Sequence, residues 1–336
     1  MRSWCVLVPT AEGELVRRFL RDRGLLQKHL AIQREADRLV IPTVSRVEIG
    51  LPAEEREFDE AFAPIRSYRD VIRIPDRVRP LLPTSFDVIG DIAVLKIPDE
   101  LAEWRDEIGR AILAWNTKLR VVAQDHGVAG EHRIRRIEVI AGEDRTTTVH
   151  VEFGLRYQVD VARAYFSPRL GTERMRVAER VRPGETVADP FAGVGPYAIL
   201  IGRRRRPRRV IASDANPVAV EFLRANVAAN RADLVDPREG DAREVLGEIR
   251  PVDRVILDLP HSAMDFLPEA VAALAPEGFV HVYGILEAAD RTATTVEIQR
   301  IVEGEGRRLR HLLVRNVRSY SPTQHHVAFD LRVGRA

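Results

Sequence analysis

The stretch Thr186-Val187-Ala188-Asp189-Pro190-Phe191-Ala192-Gly193-Val194-Gly195-Pro196-Tyr197 constrains this chain more than any other. An apolar run stops at an acid, a small glycine-rich turn follows, and an apolar segment from Tyr197 to Ile201 leads into a basic cluster. The pattern predicts strand, tight turn and helix. Glycine lets backbone approach a ligand where a Cβ would clash. A second unit runs from Arg209 to Pro217: a strand ending in Asp214, then a proline suited to the first turn of a helix. Two consecutive strands with acids at their C-terminal ends predict a nucleotide crevice at the edge of an open sheet.

Asp214 is the expected ribose ligand. Gly193-Val194-Gly195 with Ala198 approximates a dinucleotide fingerprint. Pyrophosphate binding does not explain the preceding Asp189-Pro190-Phe191-Ala192. An acid there suits a cationic ligand bearing an ammonium or sulfonium group. The turn resembles motif I of the S-adenosylmethionine-dependent methyltransferases with a Rossmann-like fold, and Asp214, Asp241 and Asp258-Leu259-Pro260 follow in order. The expected cofactor-binding set is Tyr165, Arg174, Asp189, Phe191, Ala192, Gly193, Val194, Gly195, Asp214, Ala215, Asn216, Asp241, Ala242 and Asp258.

The chain has 336 residues, room for two or three domains. Its net charge is only +2 although 30% of residues are charged, so any nucleic-acid surface must be local. Basic clusters lie at Arg133 to Arg136, Arg174 to Arg182 and Arg203 to Arg209; a solvated face is the bland reading of each. The single cysteine, Cys5, excludes an internal disulfide or a cysteine-rich zinc site. His325 and His326 are adjacent in a strand-like run and point to opposite faces, so they are expected to be structural and no metal is expected. The sequence has neither a signal peptide nor a membrane-spanning apolar run, and a cytoplasmic protein is expected.

The elements predict an α/β chain in which a Rossmann-like domain, 166–336, with a mostly parallel sheet and helices on both faces, follows two smaller α/β or α+β domains. The first, 1–68, combines strands at Trp4 to Pro9 and Leu39 to Val44 with a helix between them. A Pro-, Glu- and Arg-rich connection includes a linker at 69–83. The second, 84–165, reads as a hairpin turning at Gly90, an amphipathic helix from Leu101 to Leu119 and three further strand-like runs.

With these residues in place, the chain resembles the archaeal and eukaryotic tRNA (guanine-37-N1)-methyltransferases over essentially its whole length. The strongest pieces are Tyr165-Phe166-Ser167-Pro168-Arg169-Leu170-Gly171-Thr172-Glu173-Arg174, the glycine turn, and Val317-Arg318-Ser319-Tyr320-Ser321-Pro322. The first block is far more specific than motif I. The resemblance implies S-adenosylmethionine as cofactor and tRNA as substrate, with the first domain at the elbow and the rest on the anticodon stem-loop. It implies Glu173 as general base, Arg133 as partner of guanine O6, and Tyr165 orienting cofactor or base. Asp258, Leu259 and Pro260 would face the base, and Arg135, Arg136, Arg169 and Arg318 the RNA. One departure stands out: the family commonly has Asn where this chain has Asp258, and an ionised Asp only accepts hydrogen bonds.

The chemistry asks for these residue types. Guanine N1 carries a proton at neutral pH, and negative charge appears on O6 as it leaves, so a base and a cation are needed. The target base must turn out of the loop into a pocket, and arginine contacts to phosphate make affinity salt-dependent. One subunit is expected to supply both cofactor site and RNA grip, hence a monomer. The nearest alternative is a wyosine-pathway transferase acting at the same tRNA position, by C-methyl or aminocarboxypropyl transfer, or a dual-activity enzyme. From other classes, an NAD-dependent dehydrogenase would not need Asp189 to Ala192 or the late Asp258 motif, and a non-catalytic RNA-binding protein would not need Glu173.

Overall fold

A computed structural model describes residues 1–61, 66–129 and 134–336. The chain divides into two compact units, Met1–Asp70 and Val71–Ala336.

In the first unit β1 (Arg2–Pro9), α1 (Gly13–Asp22), β2 (Gln33–Glu35), β3 (Arg38–Thr43) and β4 (Ala53–Glu57) follow in order. The sheet order is β2-β3-β1-β4, and β1 pairs antiparallel with both neighbours. Alternation in β1 supplies both faces of the sheet: Val6 and Val8 pack with Val16 and Leu20 of α1, while Cys5 and Leu7 pack with Leu30 and Phe58. β4 lies in a stretch whose composition suggests a loose connection; its charged residues suit an edge strand.

The second unit begins with β5 (Asp87–Ile89), β6 (Ile92–Leu95), α2 (Arg105–Trp115), β7 (Val121–Ala129) and β8 (Ile134–Gly142), forming a sheet in that strand order. The β5–β6 hairpin turns at Gly90, whose φ is 58°. The helix expected from Leu101 is split: Asp99–Trp104 is a 3-10 turn, and Arg105–Trp115 is α-helical. A hairpin of β9 (Thr147–Glu152) and β10 (Leu155–Asp160) leads into the last part of the chain.

There α3 (Gly171–Arg180), β11 (Thr186–Asp189), α4 (Pro196–Arg204), β12 (Arg209–Asp214), α5 (Pro217–Ala229), β13 (Val235–Glu239), α6 (Ala242–Glu248), β14 (Val252–Leu257), α7 (Leu267–Ala273), β15 (Leu274–Glu287), α8 (Arg291–Gly304), β16 (Arg307–Ser319) and β17 (Gln324–Arg335) build a seven-stranded sheet. Its order is β13-β12-β11-β14-β15-β17-β16. Neighbours from β13 to β15 pair in parallel, while β17 is antiparallel to β15 and β16. The mostly parallel sheet with helices on both faces is the expected fold class. Two asparagines tie β10 to this domain. Asn226 bonds both backbone groups of Gln158 at 2.7 and 2.9 Å, and Asn230 those of Arg156 at 2.9 and 2.6 Å. Four residues apart on α5, they stack on one face and meet the strand edge as a neighbouring strand would. One apolar core is continuous from Ile92 and Val121 of the small sheet through Tyr157 and Val159 to Ile199 and Val210. Among the described residues no helix is long and apolar enough to cross a membrane.

Candidate active site

The crevice opens where the order of the parallel strands reverses around β11. Asp189 ends β11 with 1% of its surface exposed. The turn after it is held from both sides: the Ala192 N–H donates to the Ser213 carbonyl, and the Gly195 N–H to the Ala192 carbonyl, both at 2.8 Å. Gly193 and Gly195 have φ of 54° and 92°, in the left-handed region that favours glycine. A Cβ at Gly195 would fall 2.4 Å from Leu223 Cδ1, so glycine is also needed for packing.

Asp214 ends β12 and is oriented by backbone: Gly193 N–H donates to Oδ2 at 2.8 Å and Asn216 N–H to Oδ1 at 2.9 Å. Asp241, two residues past the end of β13, is exposed and caps α6 by accepting from Arg243 N–H at 2.8 Å. The Asn216 side chain caps α5 at Val218 and donates to the Arg163 carbonyl, so its polar atoms serve the frame of the crevice. Ala192, Val194 and Ala242 are buried, while Phe191 is half-buried edge-on to Phe266 at 4.9 Å. Ala215 is exposed beside Asp214.

The electrostatics of this corner are those of gathered acids. Neither Asp189 oxygen has a fully formed hydrogen bond, although the Phe191 backbone N–H lies near enough to favour the charged form. Burial first, then the charges of Asp258 and Asp214, push the Asp189 carboxyl well above the usual carboxylate range. Asp258, partly buried just beyond β14, is pushed up to about 6 by burial, against the lowering effect of Arg174. Acids gathered at three strand ends, one of them nearly sealed and unpartnered, fit a ligand carrying positive charge and ribose hydroxyls.

Glu173 sits in the first turn of α3, 3% exposed. Arg176 grips it on both oxygens, Nε to Oε2 at 2.8 Å and Nη2 to Oε1 at 2.5 Å. The Tyr283 hydroxyl donates to Oε1 at 2.7 Å and itself accepts from the Tyr197 hydroxyl at 3.1 Å. Arg174, the next residue, is 2% exposed and committed to Glu152 Oε2 at 2.8 Å and the Ser167 carbonyl at 2.7 Å, with Phe166 under its guanidinium. The specific block around Glu173 thus builds a buried frame as well as presenting a carboxylate.

Leu259 accepts from the N–H groups of Ser262 and Ala263, which fixes the turn after Asp258, and the Pro260 carbonyl accepts from Ile285 N–H at 3.3 Å. Tyr165 is 47% exposed, with the Arg135 guanidinium 5.6 Å from its ring centre. Arg135 and Arg169 both pair with Asp87, whereas Arg136 is exposed and bonds the His126 carbonyl. Arg318 on β16 is partly buried and acts electrostatically on Asp258 and His326, which brings it to the crevice. Arg133 lies outside the described residues. Among the described residues no group of side chains could hold a metal ion. His326 packs against Tyr283 at 5.4 Å between ring centres.

Sequence reasoning missed Arg176, Tyr197, Tyr283, His281 and Asp330. The signal available was polar residues inside apolar strand runs, Val280-His281-Val282 and Phe329-Asp330-Leu331.

A parallel sheet with acids at its strand ends around a glycine turn defines a Rossmann-like nucleotide-binding domain. Family models agree in detail: the TRM5/TYW2 methyltransferase domain matches residues 148–307, the TYW2 N-terminal domain 68–146, and the tRNA methyltransferase 5 N-terminal domain 5–49. The chain is 40% identical to the tRNA (guanine(37)-N(1))-methyltransferase Trm5b of Pyrococcus abyssi, over 98% of each chain. The crystal structure of that organism's Trm5b superposes with a TM-score of 0.81 at 39% identity, covering 99% of both chains. A Trm5 solved in complex with tRNALeu gives 0.74 at 30% identity, over 98% of this chain and 99% of the other. Methanocaldococcus jannaschii Trm5 in complex with adenosine gives 0.67 at 30% identity, over 99% and 100%. The chain belongs to the TRM5/TYW2 methyltransferase family.

Proposed function

We infer that the chain is an S-adenosylmethionine-dependent tRNA (guanine(37)-N(1))-methyltransferase with Glu173 as general base. The observation that carries this reading is the placement of Glu173. It is buried, gripped by Arg176 and Tyr283, and close enough to Asp258 for the two charges to interact beside the cofactor turn.

S-adenosylmethionine supplies a methyl group already activated on a sulfonium. Asp214 receives the ribose hydroxyls, and Asp189 answers the positive charge. The glycine turn lets backbone lie flat against the ligand. Asp258, Leu259 and Pro260 line the place of the flipped base, which fixes N1 in line with the transferred carbon. Glu173 takes the N1 proton. A carboxylate has roughly four lone-pair sites; Oε1 already accepts from Arg176 and Tyr283, so Oε2, with a single bond from Arg176, is the oxygen left to take the proton. Tyr283 and Arg176 keep the carboxylate from turning away. Arg133, Arg318 or both meet charge developing on O6. Arg135, Arg136 and Arg169 face the anticodon stem-loop, and the first unit, with its own core, serves the elbow.

Glu173→Gln tests the base. Single-turnover methyl transfer should fall by about 10²–10⁴ while the dissociation constant for S-adenosylmethionine stays within about twofold of the parent. Equal losses of rate and cofactor affinity would remove Glu173 from that role.

A further inference from the structure

A buried ionic chain runs from Glu173 across the sheet to the opposite end of the strands, and proton abstraction alone does not explain it. Arg176, which grips Glu173, also donates to Asp330 from Nη1 to Oδ2 at 2.6 Å and from Nη2 to Oδ1 at 3.1 Å. Asp330 Oδ1 lies 2.6 Å from His281 Nδ1, directly opposite it in the β15–β17 pairing. His281 Nε2 lies 2.8 Å from Arg254 Nη1, and Arg254 closes on Glu185 with contacts of 2.9 and 3.1 Å. His281 and Arg254 are each 2% exposed, and Asp330 6%.

Burying such a chain is costly, and well-packed apolar side chains in its place would usually be as stable or more so. Its arrangement fits a chemical need. A carboxylate paired only with a guanidinium is a poor base, because the positive charge favours its ionised form. Here Arg176 is shared between two carboxylates. Glu173, Asp330 and Glu185 face two guanidiniums, Arg176 and Arg254, and a third, the exposed Arg180, reaches Asp330 only at 3.6 Å. Burial holds His281 below its ordinary value, so the histidine adds no further positive charge beside Asp330 at neutral pH. We propose that Asp330, held in place by His281, is a positioning residue that divides the charge of Arg176 and so keeps Glu173 basic enough to take the N1 proton. This rests on the reading of Glu173 as base.

The groups facing Glu173 are Arg176 from α3, Tyr197 from α4, Tyr283 from β15, Asp258 after β14 and His326 from β17. All are unchanged in a variant at position 330, so a shift in the titration of Glu173 there reports on Asp330. Asp330→Asn keeps the shape and removes the charge. Glu173 then faces Arg176 undivided and becomes a weaker base.

The test is the pH dependence of single-turnover methyl transfer, on the full-length protein with tRNA and S-adenosylmethionine. Asp330→Asn should move the acid limb down by about one pH unit and lower the plateau several-fold, while Asp330→Glu should keep the parent's limb. Asp330→Ser removes the same charge with a smaller side chain and should behave as asparagine does if asparagine does not fold. A lower plateau with an unmoved limb, or an upward shift, overturns the inference. Glu173→Gln separates the two claims. If the limb persists there, the base assignment fails; if it vanishes there but stays in place in Asp330→Asn, only the role of Asp330 fails.

Discussion

Tyr283 donates its hydroxyl hydrogen to Glu173 Oε1 at 2.7 Å, from a strand 110 residues further along the chain. The phenol is 1% exposed, and burial pushes it well above its ordinary value, so it acts as a donor and not as a base. Tyr283→Phe keeps the ring and removes this bond. A hydrogen bond to a charged group contributes roughly 1.5–3 kcal/mol, so single-turnover transfer should fall about tenfold or more with cofactor affinity unchanged. An unaltered rate would show that the hydroxyl does not hold the carboxylate during transfer.

Asp189→Asn separates binding from folding. The native carboxylate is nearly sealed and raised by burial and by two neighbouring acids. Removing its charge should leave the cofactor-free protein at least as stable in thermal melts. Calorimetric titration should show affinity for S-adenosylmethionine falling by about one to two orders of magnitude, as expected when a charge-assisted contact of ~1.5–3 kcal/mol is lost. Retained affinity would place the positive charge of the ligand elsewhere.

Asp258 gives a pH dependence with a definite sign. Its carboxyl stands at about 6 in the fold, against an ordinary value of 3.8. A raised carboxyl stabilises the fold fully below about pH 4, and that contribution is lost as pH rises through about 6. Asp258→Asn should therefore come close to the parent in urea unfolding near pH 4 and exceed it by about 3 kcal/mol at pH 7, the size that a shift of this order carries. An advantage that is the same at both pH values would contradict the assigned shift.

Gly195 carries both a φ of 92° and a Cβ direction 2.4 Å from Leu223 Cδ1. Gly195→Ala should cost about 1–3 kcal/mol in chemical denaturation, and cofactor affinity should fall with it because Gly195 closes the turn back to Ala192. Wild-type stability would mean that the turn adopts another conformation.

The readable part of this site is local. Asp189, Gly193, Gly195 and Asp214 lie within one strand-turn-helix unit and its neighbour, so the chemistry of the crevice stands in consecutive residues. Glu173 was legible only through a specific block of residues, since a glutamate among arginines is ordinarily an exposed pair. What surrounds it was not legible. Tyr197, Tyr283 and Asp330 reach Glu173 and Arg176 from α4, β15 and β17, and only strand register brings them together. Of the last three strands, those at Gly278 to Ile285 and His325 to Val333 were legible as apolar runs, and β16 was not: it carries repeated arginines and no fully buried residue, because it is an edge strand. The arginines expected on RNA also divide. Arg136 is exposed, while Arg135 and Arg169 are tied to Asp87, a pairing across 48 and 82 residues that no local pattern announces.

The most direct test of the central claim is nucleoside mass spectrometry on unmodified tRNA transcripts carrying G or A immediately 3′ of the anticodon, incubated with the protein and S-adenosylmethionine. The account predicts 1-methylguanosine from the G transcript and no methylated nucleoside from the A transcript. No product from either, with product appearing on tRNA that carries the tricyclic wyosine precursor, would contradict it and assign the chain to the wyosine branch of its family.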